Sequence, residues 1–343
     1  ATGSIDMETP FVRLEETMRP AGAAPGNWKN LPREVPSIIR LDSPARLLDA
    51  IDAVQLIALY HRKGIDITGA VGRVPCIGLY RCSWSGVKFF YPVIAGDGDF
   101  YEALSTKPWY YDVEKYEFLH AARSIAPGDK VLDVGCGSGN FASVVREADY
   151  TGLEFSSKAL ASATSRGLTV FDEPIEAHAH RWPGRYDKVV AFQVLEHVTR
   201  PYEFLAGCRD ALAPGGTLIV SVPNDDAFEG QCVNDMLNLP PHHLSRWSEA
   251  ALSGLLGELG FQDVRIHHEP LQAYHRTWFL RQFFLTTLYR RLLGRSPAML
   301  ERGPVFNALH AAAHGLALFC EPGLDGEKNL AYGHTMMAIG RKP

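Results

Sequence analysis

Two rhythms of apolar residues run through the chain. From about residue 130 onward, short strand-like, mostly apolar segments at 131–134, 151–154, 168–171, 189–192 and 217–222 alternate with stretches whose apolar positions recur every three or four residues. The segments are too short for helices and are bounded by glycine-rich turns, so they predict buried strands. Two of the stretches between them predict helices. One starts at Phe141 and runs to Glu147; the other carries Leu252, Leu255, Leu256 and Leu259 between a capping Ser248 and a stop at Gly260. A sixth strand is expected at 261–268, and a last one at 334–340 after an insertion of about 60 residues with largely helical pattern. Alternation of this kind predicts an α/β fold: a seven-stranded, mostly parallel, doubly wound Rossmann-like sheet covered on both faces.

The first third of the chain reads differently. Residues 1–36 are rich in Pro, Gly and Ala without apolar periodicity, which predicts an extended or disordered arm. Asp42, Ser43 and Pro44 look like a helix start, and Leu47, Leu48, Ile51, Val54 and Ala58 keep helical spacing up to Gly64. From 65 to 92 the pattern turns to short β-like pieces, notably 76–82 and 87–91, and 99–124 again looks helical and is loaded with aromatics. The expected organisation is the arm at 1–36, a smaller accessory α+β unit at 37–111, and the main sheet domain at 112–343. Within the last, 271–330 forms a helical lid or dimer surface.

Composition narrows the class. With 46% hydrophobic and 21% charged residues in 343, the chain is an ordinary globular one. A formal net charge of -5 leaves no basic footprint for nucleic acid. Six scattered cysteines do not resemble a disulfide framework, so reduced thiols and a cytoplasmic location are expected. Residues 1–30 lack a basic segment followed by an apolar run, so no secretory signal is expected there. The greasiest stretch, 278–293, contains Arg281, Gln282, Arg290 and Arg291, which makes it a poor membrane span while leaving room for peripheral contact.

The chemistry concentrates where the first strand of the alternating series meets its glycine loop. Gly135, Gly137 and Gly139 let a ligand approach the backbone N–H groups closely. Asp133, inside the strand end, separates this loop from a dinucleotide fingerprint, which has an apolar residue there and a Gly-x-Gly-x-x-Gly spacing suited to a pyrophosphate. An acid at that point favours a cationic ligand. Glu154, 21 residues on at the end of the next strand, is placed to accept hydrogen bonds from both hydroxyls of a ribose.

The run Val131-Leu132-Asp133-Val134-Gly135-Cys136-Gly137-Ser138-Gly139 resembles the first motif of the class I S-adenosylmethionine-dependent methyltransferases, specifically the broad group of ubiquinone-type and polysaccharide- or antibiotic-modifying enzymes. Gly152-Leu153-Glu154-Phe155-Ser156 is similar to their ribose-binding segment, and Gln193-Val194-Leu195-Glu196-His197 to their fourth-strand motif. The resemblance covers about residues 127–268 plus the terminal strand. It implies S-adenosylmethionine as cofactor, held by Asp133, Gly135, Cys136, Gly137, Gly139, Asn140, Glu154, Phe155, Ser156, Gln193 and Val194. A tyrosine of the aromatic run at 109–111, Tyr111, would close over the sulfonium by cation-π attraction.

Relatives carry a segment similar to Pro241-His242-His243-Leu244-Ser245-Arg246-Trp247 in a loop overhanging the substrate, which makes His242 and His243 the candidate general bases. Glu196-His197 reads instead as a turn with a buried, hydrogen-bonded histidine. No metal is expected. Cys76 and Cys82 cannot complete a tetrahedral zinc set, with Ser85 standing where a Cys-x-x-Cys pair would need its second thiolate, and the pairs His178/His180 and His267/His268 read as solvated histidines rather than ligands.

The expected reaction is methyl transfer by direct displacement to a small-molecule or glycan-type acceptor, at a hydroxyl oxygen first, with nitrogen or carbon acceptors as alternatives. A noncatalytic cofactor-binding or interaction protein on the same fold is the other alternative. No nucleic-acid partner and no stable membrane insertion are expected, and the chain is a monomer or homodimer.

Overall fold

A computed structural model of the chain describes residues 31–105, 115–321 and 332–343. Its strands are β1 (Glu34–Pro36), β2 (Pro44–Asp52), β3 (Cys76–Cys82), β4 (Lys88–Tyr91), β5 (Lys130–Val134), β6 (Asp149–Leu153), β7 (Thr169–Phe171), β8 (Tyr186–Phe192), β9 (Leu212–Pro223), β10 (Ser245–Arg246), β11 (Gln262–Pro270) and β12 (Tyr332–Arg341). Its helices are α1 (Ala53–His61), α2 (Thr68–Val71), α3 (Gly98–Ser105), α4 (Tyr116–Ala122), α5 (Ser157–Ser165), α6 (Ile175–Arg181), α7 (Pro201–Ala211), α8 (Glu249–Glu258), α9 (Arg276–Leu293) and α10 (Pro304–Cys320).

Seven strands form one sheet in the order β11-β12-β9-β8-β5-β6-β7. Pairing is parallel from β7 to β9, while β12 runs antiparallel to both β9 and β11. The period of two along each central strand sends alternate side chains to opposite faces. Leu132, Val134, Val189, Ala191, Leu218, Val220 and Val222 bury against helices α6, α7 and α8. Val131, Val190, Phe192 and Ile219 bury on the other face against Phe118 and Ala121 of α4 and against Phe141. Both faces are dry, which is why these strands read as unbroken apolar runs.

The chain leaves β5 for β6 and β7 on one side and returns to β8 on the other. The crevice beyond the carboxyl ends of β5 and β8 is therefore the topological switch point, where ligands bind in open sheets of this kind.

A second sheet, in the order β1-β2-β3-β4-β10, is antiparallel. Here the structure corrects the helix expected from Pro44 to Gly64. Residues Pro44–Asp52 are a strand, with Ile51 opposite Ile77, and the helix begins only after Asp52, whose side chain accepts from the Gln55 N–H at 3.0 Å. A register shift between Leu47 and Asp49 breaks the strand's alternation, so that Leu47, Leu48 and Ile51 mimic a helical period.

Two further expectations change. The last residues of the arm expected at 1–36 form β1, and the helix expected from Phe141 is a single 3-10 turn at Phe141–Ser143. The helical region at 99–124 contains α3 and α4, with 106–114 between them outside the described residues. The helical insertion before the last strand contains α9 and α10, packed on each other through Leu285, Tyr289 and Ala313. Among the described residues no helix is long and apolar enough to cross a membrane.

Candidate active site

The glycine loop leaves β5 with Gly135, Gly137 and Gly139 at φ of +76°, +55° and +77°, conformations that an L side chain adopts only under strain. Gly135 is also sterically obligatory, since a Cβ there would stand 2.5 Å from Cγ2 of Val194. The loop is pinned to β6 by its own backbone: the N–H groups of Gly135 and Cys136 donate to the Leu153 carbonyl at 2.8 and 3.0 Å. Cys136 is buried and its sulfur lies against Gly152, where a side chain would collide with it. Burial pushes that thiol's pKa upward, which suits packing rather than nucleophilic chemistry.

Two carboxylates frame the loop. Asp133 is buried at 3% exposure and accepts the Tyr150 hydroxyl proton at 2.7 Å. Burial pushes its pKa up to about 7, the Tyr150 hydrogen bond opposes that shift, and the neighbouring Glu154 charge adds to it. Glu154 accepts the Gly137 N–H at 2.8 Å on one oxygen and the Ser156 N–H at 2.7 Å on the other. It therefore clasps the glycine loop to the start of α5 while keeping further lone pairs for hydroxyl donors. Ser156 caps α5 through its hydroxyl, and Phe155 beside it is 67% exposed. Asn140 receives Ser138 Oγ at 3.3 Å and the Arg166 guanidinium at 3.4 Å through its side-chain oxygen.

Across the crevice, Gln193 ends β8 at φ +56°, a left-handed conformation rare outside glycine and concentrated at functional sites. Its Nε2 reaches Glu117 at 3.5 Å and Thr335 at 3.4 Å. Asp133, Gly135, Cys136, Gly137, Gly139, Asn140, Glu154, Phe155, Ser156, Gln193 and Val194 thus fall on the linked loops around one switch point. Tyr111 lies outside the described residues.

The residues present suit a cationic adenosyl ligand: a buried acid with an upward-shifted pKa gains most from a nearby positive charge, and the loop leaves backbone exposed beside it.

His242 and His243 belong to the same neighbourhood but not to an open loop, since each is 5% exposed. Nδ1 of His242 donates to the Leu237 carbonyl at 2.7 Å, and Nδ1 of His243 lies 3.4 Å from the Asn238 side-chain oxygen. His197 joins them, its Nδ1 donating to the His242 carbonyl at 2.7 Å with the Tyr101 hydroxyl at 3.2 Å. Burial lowers the pKa of all three, His197 to about 4, so all are neutral imidazoles. Tyr150, Tyr101 and the convergence of His197 with His242 escaped sequence reading, because these residues stand 17, 96 and 45 positions from their partners.

A family model for a methyltransferase domain matches residues 109–266. A ubiquinone biosynthesis O-methyltransferase of Pectobacterium carotovorum is 41% identical over 108 residues, 29% of this chain and 45% of that protein. The chain thus spans about half the length of several curated relatives it matches. One from Dechloromonas aromatica, of the same name, is 33% identical over 161 residues, 40% of this chain and 69% of that protein. The chain belongs to the class I S-adenosylmethionine-dependent methyltransferases. A solved SAM-dependent methyltransferase from Archaeoglobus fulgidus superposes with a TM-score of 0.46 at 17% identity, covering 71% of this chain and 100% of that one.

Proposed function

We propose that this methyltransferase binds S-adenosylmethionine beyond the carboxyl ends of β5, β6 and β8, and transfers its methyl group to a hydroxyl oxygen of a small-molecule or sugar-containing acceptor. The observation that carries the reading is the buried Asp133 carboxylate beside the glycine loop, with Glu154, just after β6, hydrogen-bonded to that loop. The bound cofactor supplies a methyl group on a sulfonium. This chain's residues supply the rest. Asp133 favours the cationic end, and Glu154 accepts from the ribose hydroxyls. Gly135, Gly137 and Gly139 admit the ligand to the backbone. Much of the rate enhancement then comes from aligning the acceptor oxygen with the methyl group and sulfur, which orientation alone can provide.

A hydroxyl acceptor must also lose its proton, and His242 and His243, on the acceptor side, are the groups we assign to that task. The choice of oxygen follows the relatives' names, O-methyltransferases of ubiquinone biosynthesis.

The test is a labelled-methyl transfer screen over phenolic and sugar hydroxyl acceptors, with Glu154→Ala as the control. Removing hydrogen bonds to a charged group, each worth about 1.5–3 kcal/mol, should weaken cofactor binding by at least about tenfold. Turnover indifferent to that change removes the cofactor assignment.

A further inference from the structure

An acceptor hydroxyl and the histidines assigned to deprotonate it are poorly matched in acidity. A phenolic hydroxyl titrates at about 10, while burial holds His242 and His243 well below the usual imidazole range. So weak a base takes the proton only if the acceptor oxygen is made more acidic. A cation within about 4–6 Å of that oxygen lowers its pKa by about one to three units.

His334, at the start of β12, is placed to be that cation. The antiparallel pairing of β12 with β9 sets Thr335 opposite Pro223, so His334 stands beside the carboxyl end of β9, where its carbonyl accepts the Asn224 N–H at 2.7 Å. Gln193, at the end of β8, reaches the neighbouring Thr335 hydroxyl at 3.4 Å. Nδ1 of His334 lies 2.9 Å from Oε2 of Glu269 on β11. Gly333 makes room for that carboxylate, since a Cβ there would stand 3.0 Å from the same oxygen. Glu269 is 2% exposed and the imidazole 30%, so the pair is closed at the acid and open at the ring.

Other titratable groups meet His334 from each neighbouring element. Glu117 comes from α4, Glu229 from the 3-10 turn Phe228–Gln231, and His275 from the turn Ala273–His275, with ring centroids 4.6 Å apart. Asp235 and His243 also feel its charge, which sets it on the same side of the crevice as the His242 segment. Burial opposes the imidazolium, but the Glu269 contact and the Glu229 and Glu117 charges outweigh it and raise the pKa to about 9. At neutral pH both ring nitrogens therefore carry protons, and with Nδ1 turned to Glu269 the Nε2–H is the one left for a ligand. Thr335 Oγ1, at 3.3 Å from Nε2 and 3.5 Å from Nδ1, lies beside the ring edge between them and already accepts from Gln193.

We propose that His334, held by Glu269, donates its Nε2–H to the acceptor oxygen and makes that hydroxyl acidic enough for His242 or His243 to take its proton. The role rests on the hydroxyl-transfer reading. The hydroxyl proton passes to the neutral imidazole, an oxygen lone pair forms the bond to the methyl carbon as the carbon–sulfur pair returns to sulfur, and His334 keeps its own proton throughout. Glu269 is a positioning residue, fixing the ring and keeping it charged.

4-Nitrophenol, whose phenolate has its own visible band, tests this when bound to the full chain together with S-adenosylhomocysteine. In the wild-type complex its titration should lie about one to three units below that of the free phenol, a readout that needs no variant. His334→Gln, which keeps a donor without the charge, should abolish most of that shift. The His334 ring itself, followed by its Cε1–H resonance, should titrate at about 9 in the wild type and at least about one unit lower in Glu269→Gln, with the phenol's shift shrinking in step. No saturable binding of 4-nitrophenol, a bound titration equal to the free one, or a shift retained in His334→Gln would overturn the proposal. Methyl transfer to phenolic acceptors, measured on the same samples, separates the two readings. A shift that depends on His334 without any transfer sinks the hydroxyl-transfer reading alone, and transfer without such a shift sinks the role of His334 alone.

Discussion

Replacing Tyr150 by Phe tests the electrostatics of the proposed cofactor site with one missing atom. In the wild-type protein the Tyr150 hydroxyl donates to Asp133 at 2.7 Å, and burial holds the acid at about 7 against that hydrogen bond. A hydrogen bond to a charged group is worth about 1.5–3 kcal/mol, and 1.36 kcal/mol corresponds to one pH unit, so Tyr150→Phe should move the acid's titration upward by about one to two units. If a cationic cofactor prefers ionised Asp133, wild-type affinity should plateau well above pH 7 and fall toward tenfold per unit below it. At pH 7 the wild-type acid is about half ionised, while a variant shifted by one unit is about one-tenth ionised, a loss of about fivefold in affinity that should shrink as pH rises past about 9. Calorimetric titration of S-adenosylhomocysteine from pH 5.5 to 9.5 measures this. Asp133→Asn in parallel cancels the titration of the ligand's own amino group. An offset between wild type and Tyr150→Phe that is constant with pH, or a wild-type to Asp133→Asn affinity ratio that is flat with pH, would refute the reasoning.

Two further outcomes follow from the same residues. Because the folded-state pKa of Asp133 is raised, its contribution to stability is complete below about pH 4 and is lost as pH rises through about 7; Asp133→Asn should therefore stabilise the cofactor-free protein by about 2–4 kcal/mol at pH 8 and by little at pH 4, read by urea denaturation at both values. Gly135→Ala forces a side chain into φ +76° and 2.5 Å from Val194, and should cost about 1–3 kcal/mol in denaturation while weakening S-adenosylhomocysteine binding; a variant as stable and as tight as wild type would show that the loop has room to spare.

The sheet and the glycine loop after β5 were legible because each rests on local signals. Central strands buried on both faces write themselves as apolar runs, and Gly135, Gly137 and Gly139 are read directly as backbone needing positive φ. The region from Pro44 to Gly64 misled because a bulge near Leu48 removed the alternation that distinguishes a strand from a helix. Residues 141–147 misled in the opposite sense, since an apolar start after a glycine loop continued for only one 3-10 turn. Ser245–Arg246 was placed in a loop by resemblance, and two residues of strand leave no period to read. The histidine cluster depends on a tertiary contact, and its geometry comes from carbonyls that sequence does not single out.

The short strand β10 ties the chain's two sheets together. It pairs Ser245 with Phe89 and Arg246 with Lys88, so a piece of the segment carrying His242 and His243 is the outermost strand of the N-terminal sheet. Lys88 reinforces the seam through Asp225 at 2.7 Å, and the Tyr60 hydroxyl through the Met236 carbonyl at 2.6 Å. Anyone grafting a different N-terminal unit onto this scaffold to change what it modifies would have to transplant residues 236–246 with it. A cut made between the two sheets by primary sequence alone would orphan the strand edge at β4 and loosen the histidines in the same stroke.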